Sequence, residues 1–414
     1  MRLLEQGRAQ RLLHEAIGPA AGHVSGHETL IGAFAVLLED GASVTVRAMA
    51  DEVLSDRALN RALLARQLLL ERHAMGVDKA LEHLVGLQAQ APNAPYVGLW
   101  TRLAPFDPGA LAALIEDRAA IRTHVMRTTV HLVTARDGAT LRPLMQPVMD
   151  RSFASSPWAK KLPGVDLDAV AAAGRELLAG GALTRAQLGE RLAARFPGED
   201  PASLAHTVTI KVPAVQVPPR GIWGASGPAA WALTEEWTGA ALEAEPTADA
   251  VVLRYLAAFG PASIPDVRTW SGLTRLRDVI ERLRPRLRSF RDARGRELFD
   301  LPGAPRPDGE VPAPPRFLPE YDNVLLSHAD RARIKGDGRL VPLPPGNGGV
   351  CGTLLVDGFF RGLWHVEREG PVATVRVEPF DRFTRAERAA VVAEGERLAA
   401  FTAPDCARHG AAVA

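Results

Sequence analysis

Between residues 55 and 301 the chain runs three times through one order of signals: short amphipathic helical stretches, then two strand-like runs joined by a turn. This recurrence constrains the fold strongly. A parallel sheet needs strands separated by crossover helices, whereas these strands come in adjacent pairs. In the first pass, Ser55 caps a helix with Leu59/Leu63 and Leu64/Leu68 at four-residue spacing, reaching toward Gly76. A second helix covers residues 78–85 and stops at Gly86, and a third starts near Pro95 with Tyr96, Leu99 and Trp100. Asp107-Pro108 is a cap with a first-turn proline for a helix through Ile115. Residues 121–134 then alternate β-branched and polar side chains, as a hairpin does.

The second pass places helices at 167–178, 184–194 and 201–211, with a hairpin from Gly221-Ile222-Trp223-Gly224 to Trp231-Ala232-Leu233. The third places helices at 248–259, 263–270 and 274–284, and strands 288–291 and 297–300 around a turn at 292–295. Helices followed by a two-stranded hairpin is the layout of a winged helix. The units share architecture and not sequence, and each is small enough to gain by burying apolar faces against its neighbours. The expectation is an α+β chain of tandem winged-helix (helix-turn-helix) units with a C-terminal β-rich α+β module. Its segments are an N-terminal extension of unknown role (1–52), units at 53–150, 151–245 and 246–301, a Pro/Gly-rich linker (302–316) and the module (317–414). Within the module, Asp357-Gly358 between apolar runs at 350–356 and 359–365 signals a hairpin, and a strand at 372–377 precedes a helix at 384–400.

At 414 residues the chain exceeds one ordinary domain, and 47% hydrophobic with 23% charged residues describes a globular protein. No apolar run approaches the roughly 20 residues that cross a bilayer, and the N-terminus lacks secretory order, so a cytoplasmic protein without a membrane partner is expected. Cys351 and Cys406 form no CxxC pair, so neither a disulfide framework nor a zinc site is expected, and no cofactor. His23 and His27 stand beside glycines and read as loop residues. The glycine-rich run 344–349 lacks the Lys-Ser/Thr of a phosphate loop and reads as a turn; Ser203 and His206 lack a nucleophile-elbow setting. Net charge is +1, which leaves nucleic acid open. Positive charge is nearly all arginine, whose planar fork suits phosphates, and residues 268–296 hold ten arginines against Asp278, Glu281 and Asp292.

Four stretches then stand out: Gly86-Leu87-Gln88-Ala89-Gln90-Ala91-Pro92, Pro95-Tyr96-Val97-Gly98-Leu99-Trp100, Met126-Arg127-Thr128-Thr129-Val130-His131-Leu132-Val133, and Leu318-Pro319-Glu320-Tyr321-Asp322-Asn323. With Leu59-Asn60-Arg61 upstream, the series resembles the AlkZ/YcaQ family of winged-helix DNA glycosylases over about residues 54–401. The Gln-apolar-Gln form is similar to the AlkZ branch, since the YcaQ branch has Asp at the second polar position. The resemblance implies a concave DNA-binding surface. It also implies a monofunctional glycosylase, acting as a monomer on double-stranded DNA that carries bulky, cationic N7-alkylguanine. It leaves open whether interstrand crosslinks are unhooked, and whether the role is general repair or genotoxin resistance.

Gln88 and Gln90 are the expected catalytic pair. In extended backbone, residues two apart face the same side, whereas on a helix they would diverge by about 200°. Gly86 and Pro92 favour the extended form. A glutamine amide is not a general base, but a cationic alkylguanine leaves without being protonated. Such a reaction needs a placed water and carbonyl dipoles near the developing sugar cation. Expected DNA contacts are Arg127 and His131 on the outward face of the first hairpin, Lys211 and Arg220 beside the second, and Arg288 and Arg291 on the third. Glu320 and Asp322 fit either a structural or a DNA-proximal role. The alternative class is a non-enzymatic winged-helix DNA-binding protein or transcription regulator, against which stands the lack of a long dimerisation helix.

Overall fold

Strand β1 (Val53–Leu54) leads into helix α1 (Asp56–Arg66), where Ser55 Oγ accepts from the Ala58 N–H at 3.1 Å. This computed structural model describes residues 52–336 and 351–414, so the expectations for the N-terminal extension, His23, His27 and the 344–349 turn lie outside the described residues. Helix α1 stops well short of Gly76, because Leu68 takes a left-handed backbone (φ 57°) that a right-handed helix excludes. Next come α2 (Val77–His83), β2 (Leu87–Gln88), α3 (Ala94–Trp100) and α4 (Pro108–Glu116), the last capped by Asp107. Strands β3 (Ala120–His124) and β4 (Val130–Thr134) form the expected hairpin around a 3₁₀ turn at Met126–Thr128. Two helices follow where the sequence reading placed no element, α5 (Ala135–Leu144) and α6 (Gln146–Ala154).

The second unit contains α7 (Leu167–Ala179), β5 (Leu183–Thr184), α8 (Arg185–Ala193), α9 (Pro201–Lys211), β6 (Ala214–Val217), β7 (Ala230–Leu233) and α10 (Thr234–Thr238). The first strand of its hairpin thus lies upstream of the expected 221–224. Val217 precedes Pro218-Pro219, which bring no N–H to a ladder and end the strand there. The third unit contains α11 (Ala248–Phe259), α12 (Ile264–Ser271), α13 (Leu276–Leu283), β8 (Arg288–Asp292) and β9 (Glu297–Asp300). The module holds β10 (Arg316–Leu318), α14 (Asn323–Leu326), α15 (Ala332–Lys335), β11 (Gly352–Val356), β12 (Phe359–Glu369), β13 (Val372–Pro379), α16 (Arg385–Thr402) and β14 (Arg408–Val413).

The hairpins do not stay separate. One six-stranded sheet runs β2-β4-β3-β6-β7-β5, and the seam between the first two hairpins is the antiparallel pairing Arg122↔Gln216 and Thr123↔Val215. Strand β1 pairs in parallel with β8, so the first residues of the first unit complete the sheet of the third. The module forms its own five-stranded sheet, β10 to β14 in order, with β14 parallel to β13. All residues of β3 and β4 are buried, so the first hairpin has no outward face of the kind expected. Ile121 and Val133 pack in one core with Leu63, Leu141, Tyr255 and Trp270, whereas Ala120 and Leu132 pack in another with Leu81, Tyr96 and Trp231. Among the described residues, no helix is long and apolar enough to cross a membrane.

Candidate active site

Strand β2 is brought to its place by a tight reversal. Val85 (φ 55°) and Gly86 (φ 83°) both take left-handed backbone, and a Cβ at Gly86 would stand 2.6 Å from Val133 Cγ1 and 2.9 Å from Leu132 O. Only glycine fits that approach. The Gly86 carbonyl accepts from Asn323 Nδ2 at 2.8 Å, which pins the module to the turn. Beyond it, Leu87 and Gln88 pair with Leu132 and His131 of β4, and Ala89 N–H donates to Val130 O at 2.8 Å. Residues 87–89 are therefore extended, and the two glutamine amides meet: Gln88 Nε2 donates to Gln90 Oε1 at 2.5 Å.

Gln88 is buried, and Gln90 lines a cleft of about 970 Å³. Arg127 Nη2 donates to Gln88 Oε1 at 2.8 Å and Arg127 Nη1 to the Trp270 carbonyl of α12 at 2.8 Å. Arg127 and Thr128 sit at the tip of the first hairpin with φ of 54° and 60°, closed by Thr129 N–H to Met126 O at 3.1 Å. Tight hairpin turns of this hand favour Asn-Gly, and each side chain here costs about 1–2 kcal/mol of strain.

His131 is fully buried, which corrects the expectation of a groove contact. Its Nδ1 lies 3.0 Å from Thr129 O, so that nitrogen carries the proton and Nε2 turns a lone pair to Arg127 Nη2 at 3.5 Å. Burial first, then the Arg127 charge, push its pKa down to about 3, and the ring is neutral at physiological pH. Arg127 is also not an outward wing residue. It lines the cleft while bonded to Gln88 and Trp270, and burial lowers its pKa to about 10.

Of the other expected contacts, only Arg220 lines the cleft. Lys211 ends α9 in ion pairs with Asp168 (2.9 Å) and Asp150 (3.9 Å). Arg288 lies over the Phe290 ring and 3.5 Å from Glu52, and Arg291 donates to Gly295 O at 2.9 Å. Three arginines of the basic stretch 268–296 are paired with acids distant in sequence. Arg282 meets Asp249, Arg294 meets Asp56, and Arg296 meets Asp330.

The cleft has the opposite character. Arg122, Arg127, Arg185 and Arg220 line it, with His124 and His206, and among the described residues no Asp or Glu does. Arg122 is buried and donates to Ala89 O at 2.7 Å and Gln216 Oε1 at 3.2 Å; burial and the Arg220 charge lower its pKa to about 10. Sequence reasoning missed Arg122 and Arg185, because they come from separate elements that share no local motif. The Glu320/Asp322 question is resolved in part. Asp322 takes a bidentate pair of bonds from the buried Arg102, at 2.8 Å each, and so has a structural place. Among the described residues, no group of three His, Cys, Asp or Glu is arranged to hold a metal ion.

A family model described as DNA glycosylase AlkZ-like matches residues 81–401. Among solved structures, Streptomyces sahachiroi DNA glycosylase AlkZ is similar in fold, with a TM-score of 0.68 and 21% sequence identity. The match covers 87% of this chain and 100% of that one. No curated protein matches the chain in sequence.

Proposed function

The chain belongs to the AlkZ-like family of DNA glycosylases, and on that premise we propose that it releases cationic N7-alkylguanine from duplex DNA through a water held by Gln88 and Gln90. The observation that carries this reading is the joined amide pair, one member buried and the other at the wall of an arginine-lined cleft without carboxylates. Such a cleft attracts the phosphate backbone, and neither glutamine amide can strip a proton from water before attack. The bond to be broken must therefore already be labile, as it is in an N7-alkylguanine. On scission the bonding electrons pass to the base and cancel its charge, leaving a sugar oxocarbenium. Gln90 Oε1 has a second lone pair for a hydrogen of the incoming water. The water oxygen bonds to the anomeric carbon, and its proton passes to solvent.

No lysine lines the cleft among the described residues, which supports a monofunctional reaction ending at an abasic site without Schiff-base strand cleavage. The cleft is open, which suits bulky adducts and a guanine still tethered to the opposite strand. Monomeric action belongs to the same proposal. The test is release of N7-methylguanine from a methylated duplex, with alkali-labile abasic sites left behind. Uracil and 8-oxoguanine should be ignored, and efficient uracil excision would overturn the reading. Gln88→Ala and Gln90→Ala should each slow base release while duplex binding persists.

A further inference from the structure

We infer that Arg127 is a positioning residue that sets the direction of both glutamine amides, and this rests on the role proposed for Gln88 and Gln90. The two ends of a glutamine amide are nearly equal in shape and opposite in hydrogen-bonding sense. Arginine offers only donors, so Gln88 must turn its oxygen to Arg127, which it does at 2.8 Å. Its Nε2 is then committed to Gln90 Oε1 at 2.5 Å. Direction therefore passes from the guanidinium through one amide to the next. Reversing Gln88 would set its oxygen against the Gln90 oxygen and force Gln90 to reverse too, which changes the atoms offered to water in the cleft.

Arg127 is itself held firmly. Its second Nη atom donates to Trp270 O in the last turn of α12, where the carbonyl end of a helix favours a cation. Its backbone is turned inward by the left-handed φ of 54°, and the unprotonated Nε2 of His131 faces it at 3.5 Å. Every one of these partners is neutral, and no carboxylate pairs with Arg127 among the described residues. A guanidinium kept next to a glutamine without a counter-ion is costly for stability alone, but it suits the setting of a dipole. Once Arg127 is gone, nothing in this set tells one end of the Gln88 amide from the other.

The experiment is single-turnover release of N7-methylguanine from a duplex under saturating protein, beside duplex affinity and melting temperature. Arg127→Ala should slow release by about 10- to 100-fold, the range expected for a misplaced reacting group, with duplex affinity little changed. Arg127→Lys, which keeps a donor, should recover part of the rate, and Arg127→Met, which keeps only length, should not. That comparison holds even where the alanine variant fails to fold. The deciding arm is Gln88→Ala combined with Arg127→Ala, which should release base no more slowly than Gln88→Ala alone. Multiplying losses would mean that Arg127 acts independently of Gln88 and would overturn the inference, as would wild-type release by Arg127→Ala. Wild-type release by Gln88→Ala would instead defeat the catalytic reading of the glutamines, and this inference with it.

Discussion

Removing the Asp322 carboxylate tests how the C-terminal module is fastened to the helix behind the glutamines. Arg102 and Asp322 are almost wholly inaccessible, with side-chain exposures of 0% and 1%. Arg102 Nη1 and Nη2 each donate to one carboxylate oxygen at 2.8 Å. In Asp322→Ala the guanidinium keeps Gln67 O through Nε at 3.0 Å and Gly98 O through Nη1 at 2.9 Å, but Nη2 loses its partner and the charge its counter-ion. A buried ion pair broken from one side costs about 3–5 kcal/mol. Asp322 Oδ1 also accepts from Val324 N–H at 3.1 Å, a helix cap whose loss adds about 1 kcal/mol. The total, about 4–6 kcal/mol, is a large share of the roughly 5–15 kcal/mol that holds a domain folded. Asp322→Asn keeps one oxygen, which both caps at Val324 N–H and accepts from Arg102 Nη2, and should lose clearly less. Arg102→Met combined with Asp322→Leu should regain more than half, because no orphaned charge remains. Urea unfolding, followed by tryptophan fluorescence and circular dichroism, reads all four proteins. A loss below about 1 kcal/mol for Asp322→Ala, or a double variant no better than that single one, would refute this account.

Replacing Gln90 with Asp should retain appreciable base release and add an acidic limb to the pH–rate profile. The parent should show no limb near pH 6.5, since neither glutamine titrates and burial holds His131 neutral down to about pH 3 and the cleft's His206 down to about pH 4; a parental limb near pH 6.5 would contradict this. Arg185→Gln and Arg220→Gln should each reduce the slope of log affinity against log salt by about 0.9, and unchanged slopes would remove these residues from the phosphate track. His131 and His328 both have their pKa depressed from 6.5 to about 3 by burial, so the unfolded chain binds more protons between those values. Their contribution to stability is full above pH 6.5 and is lost as pH falls toward 3, so melting temperatures should drop across that window, and less steeply in His328→Gln.

Elements with strong local stops were legible in sequence. Helix α9 runs from Pro201 after the Asp200 cap, and α11 ends at Phe259 before Gly260-Pro261, as the residues indicate. Strand β6 was hidden because Ala214, Val215 and Val217 are buried on both faces of a sheet and show no alternation. Strand β14 was hidden because its partner β13 lies across the whole of α16. The glutamine pair could be placed together because extended backbone alone brings them to one side. Arg127 and His131 were misread for the converse reason. Alternation in β4 marks one face as core, but the cover on its other face comes from elements far away in sequence, such as the α12 carbonyl of Trp270. The basic run 268–296 misled similarly, since Asp56, Asp249 and Asp330 pair with Arg294, Arg282 and Arg296 from a distance.

The seam between β3 and β6 makes the cleft a mould and not a jaw. Arg122 crosses it, bonded to Ala89 O on one side and to Gln216 Oε1 on the other, and Thr123 Oγ1 donates to Ala214 O at 2.8 Å. Opening one wall away from the other would break this ladder and strand buried donors, so the first two hairpins keep a fixed spacing. On the proposed reading, a duplex that enters the cleft does the bending itself. Intact, well-stacked DNA resists such distortion, whereas stacking weakened by an adduct lowers the elastic penalty. On that reading, part of the discrimination between damaged and normal sites rests on the stiffness of the DNA, before any atom of the lesion is touched.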